Sequence, residues 1–436
     1  MRKALLIAYH FPPLTTSGMY RSLQFARHLP EHDWESVVLT VRPETIHAPG
    51  FLDSEPLSSL GPGTRVVRTR AFEPLQSLLH ARDRFSKRLR PTRAAEGTNH
   101  EAPNGARTGW RDWVSDLFSV PDRQAGWVPG AFSAALRLIE EEEISVLYSS
   151  SPPASGHIAA FLAARFSGCP WVADFRDPWV ANRFAPARSV VCLSPLDCLL
   201  EEMVLAGADR VITNTEELRD VFLGRYPDLA RKFVTISNGY DPDEEIPRPA
   251  PGSTRGPFTI THAGSLYGPR EPSALLKAVS GLLERGAVAP DRLRILFVGS
   301  VSGGERWRDL LDSPLLSRVV RVLPKVPRAE ALRLLAESDL LLLIQTGTDV
   351  QIPRKVYEYM AVGRPILALV TGGATESLVR RENAGWVVHP DDPAGIERTL
   401  LAAIGGAPAP RPPHPERYDF RRLTGMLARV LEEVSS

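Results

Sequence analysis

The chain has 436 residues, 43% hydrophobic and 24% charged, which is too long for one ordinary core and predicts two domains of about 150–250 residues each. A formal net charge of +1 removes the global basic field that would call for nucleic acid, so no nucleic-acid partner is expected. Three cysteines, Cys169, Cys192 and Cys198, show no metal-ligand spacing and are too few for a disulfide framework, as in a cytosolic protein with reduced thiols.

The opening "MRKALLIAYHFPP" imitates a signal peptide, but the apolar run from Ala4 to Tyr9 is too short and Pro12-Pro13 follows it. A first buried strand is the better reading. No stretch approaches the roughly 18 apolar residues of a membrane span, so any membrane contact is expected to be peripheral. In the first half, strands are predicted near 3–9, 36–41, 65–69, 144–149, 171–175, 210–214 and 232–237, with helices between several of them. "MYRSLQFARHL" places Met19, Leu23, Ala26 and Leu29 on one helical face, and "ASGHIAAFLAARF" and "DCLLEEMVLAGA" behave similarly.

Residues 65–95 carry nine Arg or Lys against two acids, with Phe72, Leu75, Leu78, Leu79, Phe85 and Leu89 at roughly helical spacing. Two roles fit: a basic, apolar patch lying on an anionic membrane, or a helix whose apolar side packs on its own domain. Residues 90–110 are polar and almost free of large apolar side chains, the composition of a flexible insertion. Residues 246–257 are rich in Pro, Gly and charge and form the best linker. A second series then begins with "FTITHAG", "LRILFVG", "RVVRVLP", "DLLLLIQ", "PILALV" and "GWVVHP". Strands alternating with helices twice over predict an α/β protein of two doubly wound parallel sheets, with domains at 1–245 and 258–410 and a C-terminal helix in 411–436 that packs back on the first domain. Ligands of such folds bind outside the carboxyl ends of the strands, and two facing sheets would put a cleft there.

Three stretches at strand ends carry candidate chemistry. In "PRKVYEYMAVGRPILALV", residues 353–370, Pro353 suits the first helical position and Gly363 the residue past the last turn. Arg354 and Lys355 in the first turn oppose the helix dipole, which a bound anion would resolve; exposed side chains, or a Lys355–Glu358 pair within the helix, would resolve it too. In "YHFPPLTTSGMYRS", residues 9–22, Gly18 at a helix start lets backbone amides approach a phosphate, without the G-x-G-x-x-G pattern of a dinucleotide site. In "HAGSLYGPREPSALLKAV", residues 262–279, Gly264, Ser265 and Gly268 form a flexible turn and Arg270 precedes a helix.

The block "KVYEYMAVGRPIL", followed by Gly372-Gly373, Glu376 and "NAGWVVHPDDP", resembles the C-terminal half of retaining glycosyltransferases of family four. "ISNGYD" at 236–241 resembles the end of their first domain, and residues 149–180 resemble a subset from bacterial surface-polysaccharide pathways. The likeness covers nearly the whole chain except about 70–110. It implies the GT-B fold, two Rossmann-like domains facing across a cleft. It also implies transfer of a sugar from a UDP or GDP donor to a glycan or lipid-linked acceptor, in the cytoplasm or at the inner face of the cell membrane.

By the same resemblance Glu358 holds the nucleotide ribose, Arg270 and Lys355 face the diphosphate as the charge that drives the reaction, and Gly18, Gly264, Ser265 and Val356 line the nucleotide side. His10, Asp174, Arg176, Asp177 and Asp349 fall on the donor-sugar or acceptor side, with Asp177 counted among the catalytic groups and no general base assigned. Such enzymes need no metal and no cofactor beyond the donor. The "DPD" at 241–243 resembles the metal motif of a different glycosyltransferase fold, yet sits in the linker region. One departure stands out: the family's first glutamate falls on Val350, with Asp349 one residue away as a substitute. Two alternatives follow from these residues, a catalytically silent assembly partner (from Val350) and a nucleotide-sugar epimerase using Asp174 and Asp177 as acid and base.

Overall fold

The computed structural model describes residues 1–16, 18–46, 52–72, 120–181, 194–247, 256–266, 268, 270–300 and 305–436. The proposed insertion at 90–110, most of the basic stretch at 65–95 and most of the linker lie outside them. The chain divides into two compact units. One comprises Met1–Asn214, Leu218–Ile236 and Thr424–Ser436, the other Thr215–Glu217 and Ser237–Leu423. No helix of the described residues is long and apolar enough to cross a membrane.

The first unit holds seven strands: β1 (Arg2–Ile7), β2 (Trp34–Val41), β3 (Arg65–Thr69), β4 (Val146–Ser151), β5 (Trp171–Phe175), β6 (Arg210–Thr213) and β7 (Phe233–Thr235). All pair in parallel, in the order β3-β2-β1-β4-β5-β6-β7. The second unit holds β8 (Phe258–Ala263), β9 (Leu293–Val298), β10 (Val320–Leu323), β11 (Leu340–Gln345), β12 (Ile366–Val370) and β13 (Gly385–Val388), parallel in the order β10-β9-β8-β11-β12-β13. Each sheet therefore reverses its winding at one place, between β1 and β4 in the first and between β8 and β11 in the second. Crevices for ligands form at the carboxyl ends of such strand pairs.

The run "LLLLIQ" shows why β11 is central. Parallel strands covered on both faces need apolar residues at every position, not alternate ones. Leu340, Leu342 and Ile344 enter one core with Leu275, Val279 and Leu282, whereas Leu341 and Leu343 enter another with Val356, Tyr357, Met360 and Leu378. In the first unit, the predicted helical face Met19, Leu23, Ala26 and Leu29 is buried. All thirteen strands lie within two residues of the predicted stretches.

The centre of the first unit is a buried ion pair. Asp174, on β5, accepts from Arg21 Nε and Nη2 at 2.8 Å each, from the Tyr148 hydroxyl at 2.6 Å and from Ser150 Oγ at 3.1 Å. Arg21 Nη2 also donates to the Ile236 carbonyl at 2.8 Å, and its guanidinium lies over the Phe25 ring. Burial alone would raise the Asp174 pKa, but Arg21 and these hydrogen bonds hold it below the usual carboxylate range. Three of these bonds fall on Oδ2 and one on Oδ1. The expectation that Asp174 faces a sugar or acceptor is thereby corrected: it is fully buried and committed to Arg21, Tyr148 and Ser150.

Removing one partner of such a pair leaves an uncompensated buried charge. Asp174→Ala is expected to lower the unfolding free energy by about 3–5 kcal/mol. Urea titration of the variant checks this, and unchanged stability would show that the network is dispensable.

Candidate functional site

The motif that dominates the sequence forms a short helix, Lys355–Val362, between β11 and β12. It starts two residues after Pro353, because Arg354 is the N-cap; it ends where Gly363, at φ 75°, takes the left-handed conformation that a glycine adopts without strain. The two tyrosines flanking Glu358 fix its placement. Tyr357 is buried with its ring 5.1 Å from that of Tyr418. The Tyr359 hydroxyl accepts from the Ala263 amide at 3.0 Å, tying the helix to the end of β8.

One turn from Tyr359, on the same side of the helix, Lys355 reaches the same strand. Its Nζ lies 3.1 Å from His262 Nε2, and His262 Nδ1 lies 2.9 Å from the Leu342 carbonyl oxygen. Burial, with Arg270 nearby and only Glu358 opposing, lowers the Lys355 pKa to about 8. His262, fully buried and beside that ammonium, is held well below its ordinary value and is neutral. Gly264 follows at φ 120°, and a Cβ there would come within 2.7 Å of Lys355 Nζ. Glycine at this turn thus leaves the space that the ammonium occupies. The Gly264 amide donates to the Val298 carbonyl at 2.8 Å, and Ser300 Oγ donates to Ser265 Oγ at 2.8 Å, so the ends of β8 and β9 are laced together.

Glu358 is only 5% exposed. Arg328 Nη1 donates to its Oε2 at 2.9 Å, while Arg328 Nη2 and Arg354 Nη1 stand 2.8 and 3.0 Å from Oε1. Burial would raise the Glu358 pKa; Arg354 and Arg328 overcome this and lower it. Arg328 also grips Glu244 with two hydrogen bonds, at 2.8 and 2.7 Å. Despite these charges, Oε1 is buried without an aligned hydrogen bond. This carboxylate keeps accepting capacity.

The structure thus brings Gly264, Ser265, Lys355 and Glu358 into one region of the second unit, with Arg270 close enough in charge to act on Lys355. Val356 does not join them. Its side chain is wholly buried in the core and its amide donates to the Pro353 carbonyl at 3.0 Å, which corrects its assignment to a nucleotide-binding role. The Tyr357 amide is likewise spent on the Arg354 carbonyl, so the anion-binding capacity of this helix rests on side chains more than on its first amides. Asp349 is exposed, on a loop whose carbonyls at Asp349 and Gln351 accept from the Ala374 amide at 2.7 Å and Thr375 Oγ1 at 2.9 Å. In the "DPD" stretch, Asp241 Oδ1 accepts the Asp243 amide at 2.9 Å and Asp243 pairs with Arg421.

In the first unit, Gly18 is the N-cap of the helix Met19–His28 in ordinary right-handed geometry. Glycine is needed there by close approach, since a Cβ would overlap the Arg176 guanidinium. Arg176 Nε donates to the Ser151 carbonyl at 3.0 Å, and Nη2 bonds the Pro152 carbonyl. His10 and Asp177 line a cavity of about 200 Å³ with Asp122, Ser151 and Trp179. Burial and the Arg176 charge lower the His10 pKa to about 3, so the ring is neutral; its Nδ1 and Trp179 Nε1 are buried without a hydrogen-bond partner among the described residues.

Sequence reasoning missed two residues, His262 and Arg328. The only signal for the first was a histidine inside an apolar strand just before a glycine turn, since a buried polar group requires partners. For Arg328 there was none, because its partners lie 84 residues earlier and 30 later.

Residues 90–244 match the family model described as Glycosyltransferase Family 4, and residues 257–405 match that described as Glycosyl transferases group 1. Each half of the chain thus matches a glycosyltransferase model, and the fold is GT-B. It is similar to D-inositol 3-phosphate glycosyltransferase 1 of Catenulispora acidiphila, at 26% identity over 300 residues, 64% of this chain and 66% of that protein. It is also similar to D-inositol 3-phosphate glycosyltransferase of Saccharomonospora viridis, at 27% identity over 251 residues, 53% of this chain and 57% of that protein. The chain therefore spans just under two thirds of the first relative and less of the second. In fold it is similar to HepE of Anabaena in complex with UDP, with a TM-score of 0.57 and 14% identity over 100% of this chain and 97% of that one.

In this GT-B chain the Tyr359 hydroxyl is the acceptor for the last amide of β8. Tyr359→Phe is expected to cost about 1–3 kcal/mol of stability by leaving that amide unmet. Chemical denaturation measures it, and a change below about 0.5 kcal/mol, the level of an ordinary surface substitution, would remove this anchor from the description.

Proposed function

We propose that the protein transfers a sugar from a nucleotide-diphosphate donor to a hydroxyl of a glycan or lipid-linked acceptor, with retention and without a metal, in surface-polysaccharide synthesis. The observation that carries this reading is the placement of Lys355 beside the Gly264 turn, at the switch point of the second sheet. Charge develops on the departing diphosphate as the glycosidic bond breaks. Lys355 and Arg270 are positioned to stabilise it without reorganising, which is where electrostatic catalysis gains most. Because these cations supply the charge, the mechanism asks for no metal. Glu358, with a buried oxygen still able to accept, suits a pair of ribose hydroxyls. Asp349 is left as the group nearest the donor sugar in sequence, given Val350 beside it.

The acceptor side draws on the first unit. The cavity beside His10 and Asp177 has no lysine or arginine among its described lining residues. A neutral imidazole, an indole N–H and carboxylates offer hydrogen bonds to the hydroxyls of an acceptor. The epimerase alternative loses its acid–base pair, because Asp174 is buried and committed to Arg21, Tyr148 and Ser150. Peripheral contact with anionic lipid through the 65–95 stretch rests on its charge and on Phe72, which is 72% exposed.

A thermal-shift screen with UDP, GDP and their sugars tests the central claim, since a ligand at about 100 times its Kd adds about 2.7 kcal/mol of apparent stability. UDP, which HepE holds in its solved complex, is the first to try. Binding of neither nucleotide sinks the reading. Glu358→Gln is expected to weaken nucleotide binding by roughly 10–100-fold, the loss of a charge-assisted hydrogen bond, while the protein stays folded. Calorimetry with UDP and GDP decides it, and unchanged affinity would separate Glu358 from the nucleotide. On vesicles containing phosphatidylserine, raising the salt from about 0.1 M to about 1 M should release the protein; binding that ignores salt, or none at all, removes the membrane from the proposal.

A further inference from the structure

We propose that His262 is a positioning residue for the donor-side cation: its Nε2 lone pair holds the Lys355 ammonium at the Gly264 turn, so that an anion site stands ready before any nucleotide arrives. The identity of the anion rests on the nucleotide reading above; the pairing itself does not.

The geometry fixes the protons. A carbonyl oxygen only accepts, so the nitrogen of His262 facing the Leu342 carbonyl at 2.9 Å, Nδ1, must carry the hydrogen. In a neutral ring this leaves the lone pair on Nε2. An ammonium has three hydrogens and no lone pair, so at 3.1 Å Lys355 donates and His262 accepts. A charged imidazolium would set two donors against each other, and burial beside Lys355 disfavours it. Both ring nitrogens are thus committed, one to the β11 backbone and one to the lysine. The strand that carries the turn also carries the acceptor that aims the cation at it.

The groups facing Lys355 account for its charge state. Glu358, on the same helix, favours the ammonium; Arg270, from the segment after β8, opposes it; His262 is neutral; and the Tyr359 hydroxyl is engaged by the Ala263 amide. With the lysine at about 8, the ammonium is present below that pH and is lost as pH rises through it. Affinity for a diphosphate should fall in the same window. Between near pH 7 and near pH 9 the charged fraction drops about tenfold, and affinity with it.

The test uses the full chain with His262→Leu, which removes the acceptor, and His262→Gln, whose Oε1 reaches about as far as Nε2 and still accepts. Lys355 is titrated without ligand by trace acetylation read by mass spectrometry, and UDP affinity is measured calorimetrically near pH 7 and near pH 9. The wild type should show a labelling midpoint near 8. The leucine variant should show a lower midpoint and at least about tenfold weaker UDP binding near pH 7, about the loss of one charge-positioning bond. The glutamine variant should restore both. A folded leucine variant with an unchanged midpoint overturns the proposal, as do leucine and glutamine variants that are impaired alike. If the leucine variant does not fold, the glutamine variant decides: a retained midpoint supports the pairing and a shifted one refutes it. If the wild type binds neither UDP nor GDP while the midpoints move as expected, the pairing stands and the nucleotide reading falls.

Discussion

The second unit depends on two hydrogen bonds that fasten the helix Lys355–Val362 to β8, from Ala263 to the Tyr359 hydroxyl and from Lys355 to His262. They lie one turn apart on a helix only eight residues long. A helix that short has little stability of its own and takes its orientation from what it packs against. Tyr357, buried against Tyr418, supplies the apolar part of that packing. Once these contacts are made, the direction of Glu358 is no longer free. Residues between and beside the anchors must point where the helical repeat sends them, and Glu358 faces Arg328 and Arg354.

Two of the buried carboxylates, Asp174 and Glu358, illustrate how one residue class divides between architecture and proposed chemistry. Asp174 is wholly buried and held by Arg21, Tyr148 and Ser150, so no ligand reaches it in this fold. Glu358 stands beside two guanidinium groups yet has a buried oxygen without an aligned donor. The two guanidinium groups balance its charge, and the proposed nucleotide would add the aligned donor that it lacks. Electrostatics reinforce the distinction. The network of Glu244, Arg328, Glu358 and Arg354 pairs two negative with two positive charges, while Lys355 stands at the Gly264 turn with its amine 3.1 Å from a neutral histidine.

Most of the architecture was legible because hydrophobic period is a local property. Parallel strands buried on both faces, such as "LLLLIQ", announce themselves over six residues, and Gly363 marks a helix end through its backbone freedom alone. Proximity was legible where it was local too: Lys355 and Glu358 share one helical turn, and Gly264 stands at a strand end. Reading failed where the partner is remote. Asp174 looked like a functional carboxylate in "WVADFRDPW" because Arg21 lies 153 residues earlier. At Gly18 the sequence showed a glycine at a helix start but not that the Arg176 side chain lies against it. His262 looked like part of a strand because its lysine is 93 residues away.

Val350 acquires a narrower meaning from these contacts. The loop that carries it is held by its carbonyls, through Ala374 and Thr375, to the start of the next helix. A glutamate there would add a charge to a region whose acid–base pairs already balance around Glu358. Valine adds none, so any anion bound at the Gly264 turn meets Lys355 and Arg270 without a competing carboxylate at 350. Under the proposed function, nucleotide binding is left to side chains already in place, and discrimination between donor sugars falls to Asp349 and the loop backbone. On that reading a change at Val350 would act on which sugar is accepted, whereas a change at His262 or Glu358 would act on whether the nucleotide is held.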